Sequence, residues 1–326
     1  MKKVWEGIYQ IEVSLPEVGG VNIYFLDGDI PTLLDTGPNF PGVKDVLEES
    51  LKQVGRRLGD LREIIVTHGH VDHYGLVGQI QQISGADVFM SLPEKEIMLD
   101  FQTGKEIERV AEGLVTWGVP DKLGGGILKY LEIIMSLGEE VTNATVQSVV
   151  HGEVLAVGQG NWQIQCYAGH SPAGLCLLNE DGLIFTGDHL LAKISPNPSL
   201  DLTKDRILQG GLGEYITSLK NMVSLTVQCC LPGHGPLIYN YQERIEGLFE
   251  GINNRRSRIL AMIDEQPKSI FQVGQELLHS LERKLSVSQI WLAMKEVKAH
   301  LDLLERELTV KVDNFGVVNN YSLMKK

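Results

Sequence analysis

Residues 67–75 place three histidines and an aspartate within six consecutive positions: His68, His70, Asp72 and His73. Imidazole and carboxylate together suit zinc, iron or manganese, whereas calcium and magnesium prefer oxygen ligands alone. The chain has only nine histidines in 326 residues, so three of them in one short run are hard to attribute to chance. This spacing predicts a metal site.

The elements around this run predict how it is held. Residues 62–66 form a short apolar, β-branched run, which indicates a buried strand. The histidine cluster therefore lies in the loop at the carboxyl end of that strand, where a rigid scaffold presents functional side chains.

Four more polar residues follow strand-like apolar runs: Asp35, His170, Asp188 and His234. The last three each have a glycine as a neighbour. Glycine permits tight turns and lets the backbone approach a ligand closely. Found together with the histidine run, these residues extend the predicted site over several strand ends.

Composition and charge limit the broad class. A chain of 326 residues, 43% of them hydrophobic, can bury a large core and suggests one large domain with a smaller one. The first residues lack the apolar segment of a signal peptide, and no run approaches the roughly 18 apolar residues of a membrane span. Four cysteines without CxxC spacing fit reduced thiols. We therefore expect a cytoplasmic protein without membrane contact.

The net charge of −13 is concentrated in residues 1–240, which carry 16 Lys and Arg against 30 Asp and Glu. Residues 241–326 are nearly balanced, with 13 against 12. Because an acidic surface repels phosphate backbones, this distribution counts against tight nonspecific binding of nucleic acid.

Residues 1–240 alternate strand and helix patterns in two halves, with polar residues at strand ends. This order predicts an α+β fold, a four-layer αββα sandwich, as the catalytic domain. Residues 92–144 interrupt it with a charged helical insertion, which would form a wall or lid of the substrate site or serve only for packing.

Residues 241–326 have a different pattern, with helical periodicity over 242–266, 270–285 and 287–304 and then two short strand-like runs. Three helices followed by a hairpin are the outline of a small winged-helix domain. We predict a domain boundary near residue 240.

Residues 4–240 as a whole resemble the metallo-β-lactamase-fold hydrolase superfamily. The residues that carry the resemblance are His68, His70, Asp72, His73, His170, Asp188 and His234. The resemblance is greatest to the glyoxalase II-like group, and within it to members with a C-terminal winged-helix extension, the β-lactamase-like protein 2 type.

The resemblance implies two divalent metal ions, with Asp188 bridging them and Asp35 hydrogen-bonded to a ligating imidazole. The first ion would lie on His68, His70 and His170, and the second on Asp72, His73 and His234. Zinc is the expected metal, with iron and manganese as alternatives. True zinc β-lactamases have a cysteine at the position of Asp188, so β-lactam hydrolysis is not expected.

The predicted function is hydrolysis of a thioester, an ester or a phosphodiester by a hydroxide that bridges the two ions. Asp72 is the candidate catalytic residue, because its carboxylate can ligate a metal and also position the hydroxide. His189 and Tyr74 are candidates for facing the substrate. We expect a small molecule or a nucleic-acid fragment as substrate, and a homodimer remains open.

Two other functions remain open at this stage. One is a persulfide dioxygenase with a single iron, which the same fold accommodates. The other is a DNA-binding winged helix with the metal domain as a sensor, which the three arginines in residues 255–258 favour and the balanced charge of this region disfavours. Alternatively, the C-terminal region packs on the sandwich as a wall of the active-site cleft or as a dimer surface.

We expect the full chain not to bind duplex DNA, because the charges of residues 241–326 are nearly balanced and those of residues 1–240 are strongly negative. An electrophoretic mobility-shift assay at low and moderate salt checks this. Retardation of the duplex that weakens as salt rises would contradict the expectation.

Overall fold

The computed structural model describes residues 1–15, 19–138, 141, 146–200, 211–279, 285–313 and 316–324. Its first half is built on a seven-stranded sheet whose strands follow one another in chain order. The strands are β1 (Lys2–Trp5), β2 (Ile8–Leu15), β3 (Gly19–Leu26), β4 (Thr32–Leu34), β5 (Glu63–Ile65), β6 (Asp87–Ser91) and β7 (Val146–Val149). Strands β1 to β4 pair antiparallel and β4 to β7 pair parallel. The carboxyl ends of β4 and β5 therefore meet at one edge of the sheet.

A second, five-stranded sheet has the order β12-β11-β10-β9-β8. Its strands are β8 (Val154–Val157), β9 (Gly160–Tyr167), β10 (Gly174–Leu178), β11 (Leu183–Gly187) and β12 (Cys229–Pro232). Strands β11 and β12 pair parallel, so their carboxyl ends also lie together. The apolar character of residues 226–231 predicts a strand over that whole range, but β12 begins only at Cys229.

Alternation along the strands builds the layers, because successive side chains point to opposite faces. On β3, Ile23 and Phe25 pack under the helices outside the first sheet, whereas Tyr24 and Leu26 pack between the two sheets. On β11, Ile184 faces the outer helices of the second sheet and Phe185 faces the first sheet. The α+β class and the four-layer sandwich are thus confirmed.

The helices outside the first sheet are α1 (Val43–Lys52) and α3 (Val77–Ser84), with the single turn α2 (Val71–Tyr74) between them. Those outside the second sheet are α7 (Leu212–Val223) and the first half of α8 (Tyr241–Glu265). The sequence pattern of residues 205–225 predicts one helix, but the structure describes this range only from residue 211 onward, so the first predicted turn lies outside the described residues.

The segment 92–144 forms α4 (Leu92–Gln102), α5 (Lys105–Thr116) and α6 (Asp121–Met135). The C-terminal region continues with α9 (Ile270–His279), α10 (Val287–Arg306) and a two-stranded sheet of β13 (Val310–Asp313) and β14 (Asn320–Leu323). Residues 280–284 of the predicted second helix lie outside the described residues. None of the described helices has an apolar stretch long enough to cross a membrane.

The two helical segments share one hydrophobic core, although more than a hundred residues separate them in the chain. Trp117 at the end of α5 stacks on Trp291 of α10, with ring centroids 5.8 Å apart. Ile259 and Ile263 in the second half of α8 belong to the same cluster. Each segment is amphipathic, and each buries its apolar face against the other.

We expect Trp117→Ala to destabilise the protein by about 3–5 kcal/mol, because the substitution leaves a cavity in this shared core. Urea unfolding measures the loss, with the exposed Val115→Ala on the same helix as the control. A change in the free energy of unfolding no larger than that of the control would show that the stacking does not join the two segments.

Candidate metal centre

The polar residues expected at the site follow the carboxyl ends of five strands that belong to both sheets. Asp35 follows β4, the histidine run follows β5, His170 follows β9, Asp188 follows β11 and His234 follows β12. The sheets are joined at this edge by Asn22 of β3, whose side-chain amide donates to the carbonyl oxygens of Pro232 (2.9 Å) and Gly235 (2.8 Å). Tertiary packing thus brings these loops to one place.

Three imidazole nitrogens converge in a first cluster. His68 Nε2 lies 2.9 Å from His70 Nδ1, and His170 Nε2 lies 3.1 Å from the same atom. Nδ1 of His170 lies 2.9 Å from the carbonyl oxygen of Asn197, so this nitrogen carries the proton. Its Nε2 therefore presents a lone pair to the cluster when the ring is neutral.

A second cluster lies beside the first and consists of Asp72, His73 and His234. His234 Nε2 is 3.4 Å from Asp72 Oδ2, and His73 Nε2 is 3.8 Å from the same oxygen. His234 Nδ1 donates to the carbonyl oxygen of Gly20 at 2.8 Å, which again leaves Nε2 to face the cluster.

Asp188 lies between the two clusters. Its carboxylate oxygens are 3.2 Å from His234 Nε2, 3.6 Å from His73 Nε2 and 3.7 Å from His170 Nε2. Gly233 makes this approach feasible, since a Cβ there would come within 2.4 Å of Asp188 Oδ1. A carboxylate in this position is close to ligand atoms of both clusters.

Buried atoms without partners show that this arrangement suits metal ions. His73 Nε2 and Asp188 Oδ1 are buried, and among the described residues neither has a hydrogen-bond partner. Buried polar atoms in proteins are nearly always satisfied, so each such exception calls for an explanation. Lone pairs of imidazole and carboxylate that point at one another fit divalent cations, which this donor set favours.

Asp35 orients two of the imidazoles. Its Oδ2 accepts from His73 Nδ1 at 2.8 Å and from the Thr67 hydroxyl at 2.9 Å, and its Oδ1 accepts from the Thr67 amide at 2.7 Å. The same hydroxyl lies 3.0 Å from His68 Nδ1. Asp35 adopts a left-handed backbone with φ of 60°, an unfavourable conformation that is typical of functional sites. These contacts fix Nε2 as the free nitrogen of both rings.

The electrostatics of the two clusters differ in the metal-free protein. Burial lowers the pKa of His68 and of His170, and lowers that of His70 to about 3. Burial also disfavours the charged form of His234, but its contacts with the Asp188 and Asp72 carboxylates outweigh burial and raise the pKa of His234 to about 10. The first cluster therefore offers neutral imidazoles at neutral pH, whereas metal binding at the second must displace a proton.

His189 and Tyr74 are the candidates for facing the substrate. Neither of them lines the large cleft that opens beside the two clusters. The His189 ring is buried between Tyr167 (centroids 4.9 Å apart) and Tyr215 (5.3 Å), beside a cavity of about 10 Å³. Tyr74 is 1% exposed and packs in the core under the first sheet. Both side chains are thus buried outside the large cleft, and the two ring nitrogens of His189 have no hydrogen-bond partner among the described residues.

A cleft of about 320 Å³ opens beside the clusters and is lined by His70, Asp72, His170 and Asp188 at one end. Its walls come from α4, α5 and α6 of the insertion and from α10 of the C-terminal region. Both helical segments thus contribute walls of the cleft, which was one of the alternatives that the sequence left open for each.

Glu94 also belongs to the site, although no pattern in the sequence indicates it. Its side chain is fully buried, and it accepts from the Gly69 amide at 2.9 Å and from the Ala173 amide at 2.7 Å. It therefore joins the loop of His68 and His70 to the loop of His170. A glutamate in the first turn of a charged helix looks like a solvent-exposed residue, so the sequence carries no signal for this contact.

We expect Glu94→Gln to weaken metal binding and to lower activity by about 10-fold or more, because an amide cannot accept from both backbone N–H groups. Metal titration against a competing chelator measures the affinity. Glu108→Gln, an exposed change of the same charge on α5, serves as the control. An affinity equal to that of the control would contradict a positioning role for Glu94.

Known proteins resemble this chain over its whole length. Residues 16–234 match the metallo-beta-lactamase superfamily. The probable metallo-hydrolase YqjP of Bacillus subtilis is 31% identical over 310 residues, which cover 93% of each chain. The beta-lactamase-like protein 2 homolog of Drosophila melanogaster is 24% identical and covers 90% of this chain and 85% of that protein.

A thioesterase and a solved structure are also similar to this chain. The atrochrysone carboxyl ACP thioesterase of Emericella nidulans is 23% identical over 79% of this chain and 66% of that protein. The crystal structure of a metallo-beta-lactamase family protein from Thermus thermophilus superposes with a TM-score of 0.84 at 25% identity, covering 99% of this chain and 100% of that one. The resemblance inferred from the sequence is confirmed: this chain belongs to the metallo-beta-lactamase superfamily, whose members bind divalent metal ions and include metallo-hydrolases.

Proposed function

We propose that the protein is a binuclear metal-dependent hydrolase of esters or thioesters. The observation that carries this proposal is the pair of adjacent ligand clusters with Asp188 between them, at the end of a largely apolar cleft. The presence of a second cluster favours two ions over the single iron of a dioxygenase.

The proposed ligands are those of the two clusters. His68, His70 and His170 would hold one ion, Asp72, His73 and His234 the other, and Asp188 both. Imidazole with carboxylate is a donor set that zinc accepts readily, and iron or manganese fit it as well. When bound, two such cations supply a water of lowered pKa and polarise the oxygen of the group under attack.

The chain's own residues would orient the reaction. Asp72 belongs to the second cluster and also lines the cleft, so its carboxylate can accept a hydrogen bond from the attacking water. Asp35 holds the proton on His73 Nδ1, and the Asn197 carbonyl holds the proton on His170 Nδ1. These contacts keep the rings in one tautomer while the substrate binds and leaves.

Several observations favour an acyl substrate over a phosphodiester. The cleft walls are mainly aliphatic and aromatic side chains, which suit an acyl chain better than a ribose-phosphate backbone. A net charge of −13 disfavours nucleic acid. One relative is named as a thioesterase of an acyl carrier protein. Two of the three arginines that favoured DNA binding form ion pairs, Arg255 with Glu296 and Arg256 with Glu307.

Metal content and turnover test this function together. We expect about two divalent ions per chain by elemental analysis, hydrolysis of a short neutral thioester, and loss of that hydrolysis on exhaustive chelation. Asp72→Ala should lower kcat by about 100-fold or more, since it removes both a ligand and a hydrogen-bond acceptor. Asp45→Ala, an exposed change on α1, is the control.

The same experiment has outcomes that count against the proposal. Turnover that survives both chelation and Asp72→Ala would exclude the two-metal mechanism. One iron per chain together with sulfur-dependent oxygen uptake would replace the hydrolase with the dioxygenase.

A further inference from the structure

We propose that the substrate is a thioester or ester whose acyl chain is apolar and carries a carboxylate close to the scissile carbonyl, and that Lys295 binds this carboxylate. The inference rests on the proposed ester or thioester hydrolysis and goes beyond it by naming the substrate class. The apolar part of the acyl chain would contact the cleft walls, and its carboxylate would contact Lys295 of α10.

The cleft is continuous from the metal clusters to an apolar chamber. His70, Asp72, His170 and Asp188 line it at one end. The chamber is formed by side chains from four helices: Phe101, Val110, Leu131, Ile134, Met135 and Trp291. A carbonyl at the clusters would therefore place its attached chain between the insertion and the C-terminal region, where burial of apolar surface stabilises the complex.

Lys295 is the cation that the C-terminal region contributes to this cleft. It follows Trp291 by four residues on α10, so the two side chains share a face of the helix, and both line the cleft. His70 and His170 of the first cluster line the same cleft, so the ammonium group and this cluster face one space of about 320 Å³.

Within the part of the chain that the structure describes, no carboxylate oxygen lies within 4.0 Å of the Lys295 side-chain nitrogen. Glu106, which also lines the cleft, is the acidic residue whose charge acts on Lys295, and its carboxylate lies 3.5 Å from Arg109. Burial lowers the pKa of Lys295, which reflects the cost of holding a charge in this cleft.

An ammonium group beside two divalent ions in an apolar cleft is repelled by them and poorly solvated, so it disfavours cations and demands an anion. A carboxylate between Lys295 and the clusters would offset both penalties. A neutral acyl chain would fill the chamber but leave the lysine unpaired. The cleft therefore discriminates by charge near the clusters and by hydrophobicity farther away.

Matched substrates test the charge. We compare the octanoyl thioester, the same thioester with a carboxylate on carbon 3, and the methyl ester of that carboxylate as an uncharged analogue of equal bulk. Lys295→Met should lower kcat/KM for the carboxylate substrate by about 10- to 100-fold, the range expected for a lost charge-assisted hydrogen bond, and leave the methyl ester unchanged. Lys298→Met is the control, because Lys298 is on the same helix and pairs with Asp302 at 2.6 Å.

A second variant tests whether the apolar chamber binds the acyl chain. Met135→Gln keeps the side-chain length but places an amide in the chamber. We expect a fall of about 10-fold in kcat/KM for octanoyl substrates and none for an acetyl thioester. Ile133→Gln, on the exposed face of the same helix, should change neither.

Binding measured without turnover separates this proposal from the proposed function. Calorimetry with the non-hydrolysable octanoyl amide and its 3-carboxy derivative should show tighter binding of the charged amide to the wild type, and equal binding of the two to Lys295→Met. Failure of every thioester to turn over would overturn the proposed function. The binding measurement does not depend on turnover, so it tests the role of Lys295 separately. A charge preference that persists in Lys295→Met, or equal losses on charged and neutral substrates, would overturn the role of Lys295.

Discussion

The whole site depends on one buried carboxylate, that of Asp35 at the end of β4. Its two oxygens accept three hydrogen bonds, two from Thr67 and one from His73, so the strand end, the histidine run and the one-turn helix α2 are held together. A buried carboxylate is stable only when its acceptors are satisfied. The left-handed backbone of Asp35 is retained because these contacts offset its strain. Glu94 plays a corresponding part on the other side of the histidine run, where it binds two backbone amides.

The cleft is a product of packing between distant segments. The insertion and the C-terminal region each supply helices with one apolar face, and neither segment closes a core by itself. Their contact through Trp117 and Trp291 creates a hydrophobic cluster, and the cleft runs along its edge to the metal clusters. One helix, α10, thereby contributes both to the core, through Met294 and Val297, and to the cleft, through Lys295. Stability and the shape of the substrate site are therefore coupled.

Most strands and helices were predictable because their periodicity is strong. For example, α8, α9 and α10 begin within a residue of the predicted positions. The less accurate predictions have physical reasons. Periodicity shows that a segment is apolar, but not at which residue its hydrogen bonding to a neighbouring strand begins. Strand β12 therefore begins three residues after the start of the apolar run that predicts it. His189 and Tyr74 were predictable as members of the region but not in orientation, because the side chains that surround them come from other parts of the chain.

By itself, the sequence determined the kind of chemistry, since the type and spacing of its histidines and aspartates, each at a strand end, suit divalent metals and little else. It also determined the family and the layered fold. Only the tertiary structure decided which imidazole nitrogen is free and which residues form the cleft. These depend on hydrogen bonds and packing between residues far apart in the chain, such as Glu94 with Ala173, Asn22 with Pro232, and Trp117 with Trp291. Local pattern carries no information about such contacts, because many different partners satisfy the same buried group.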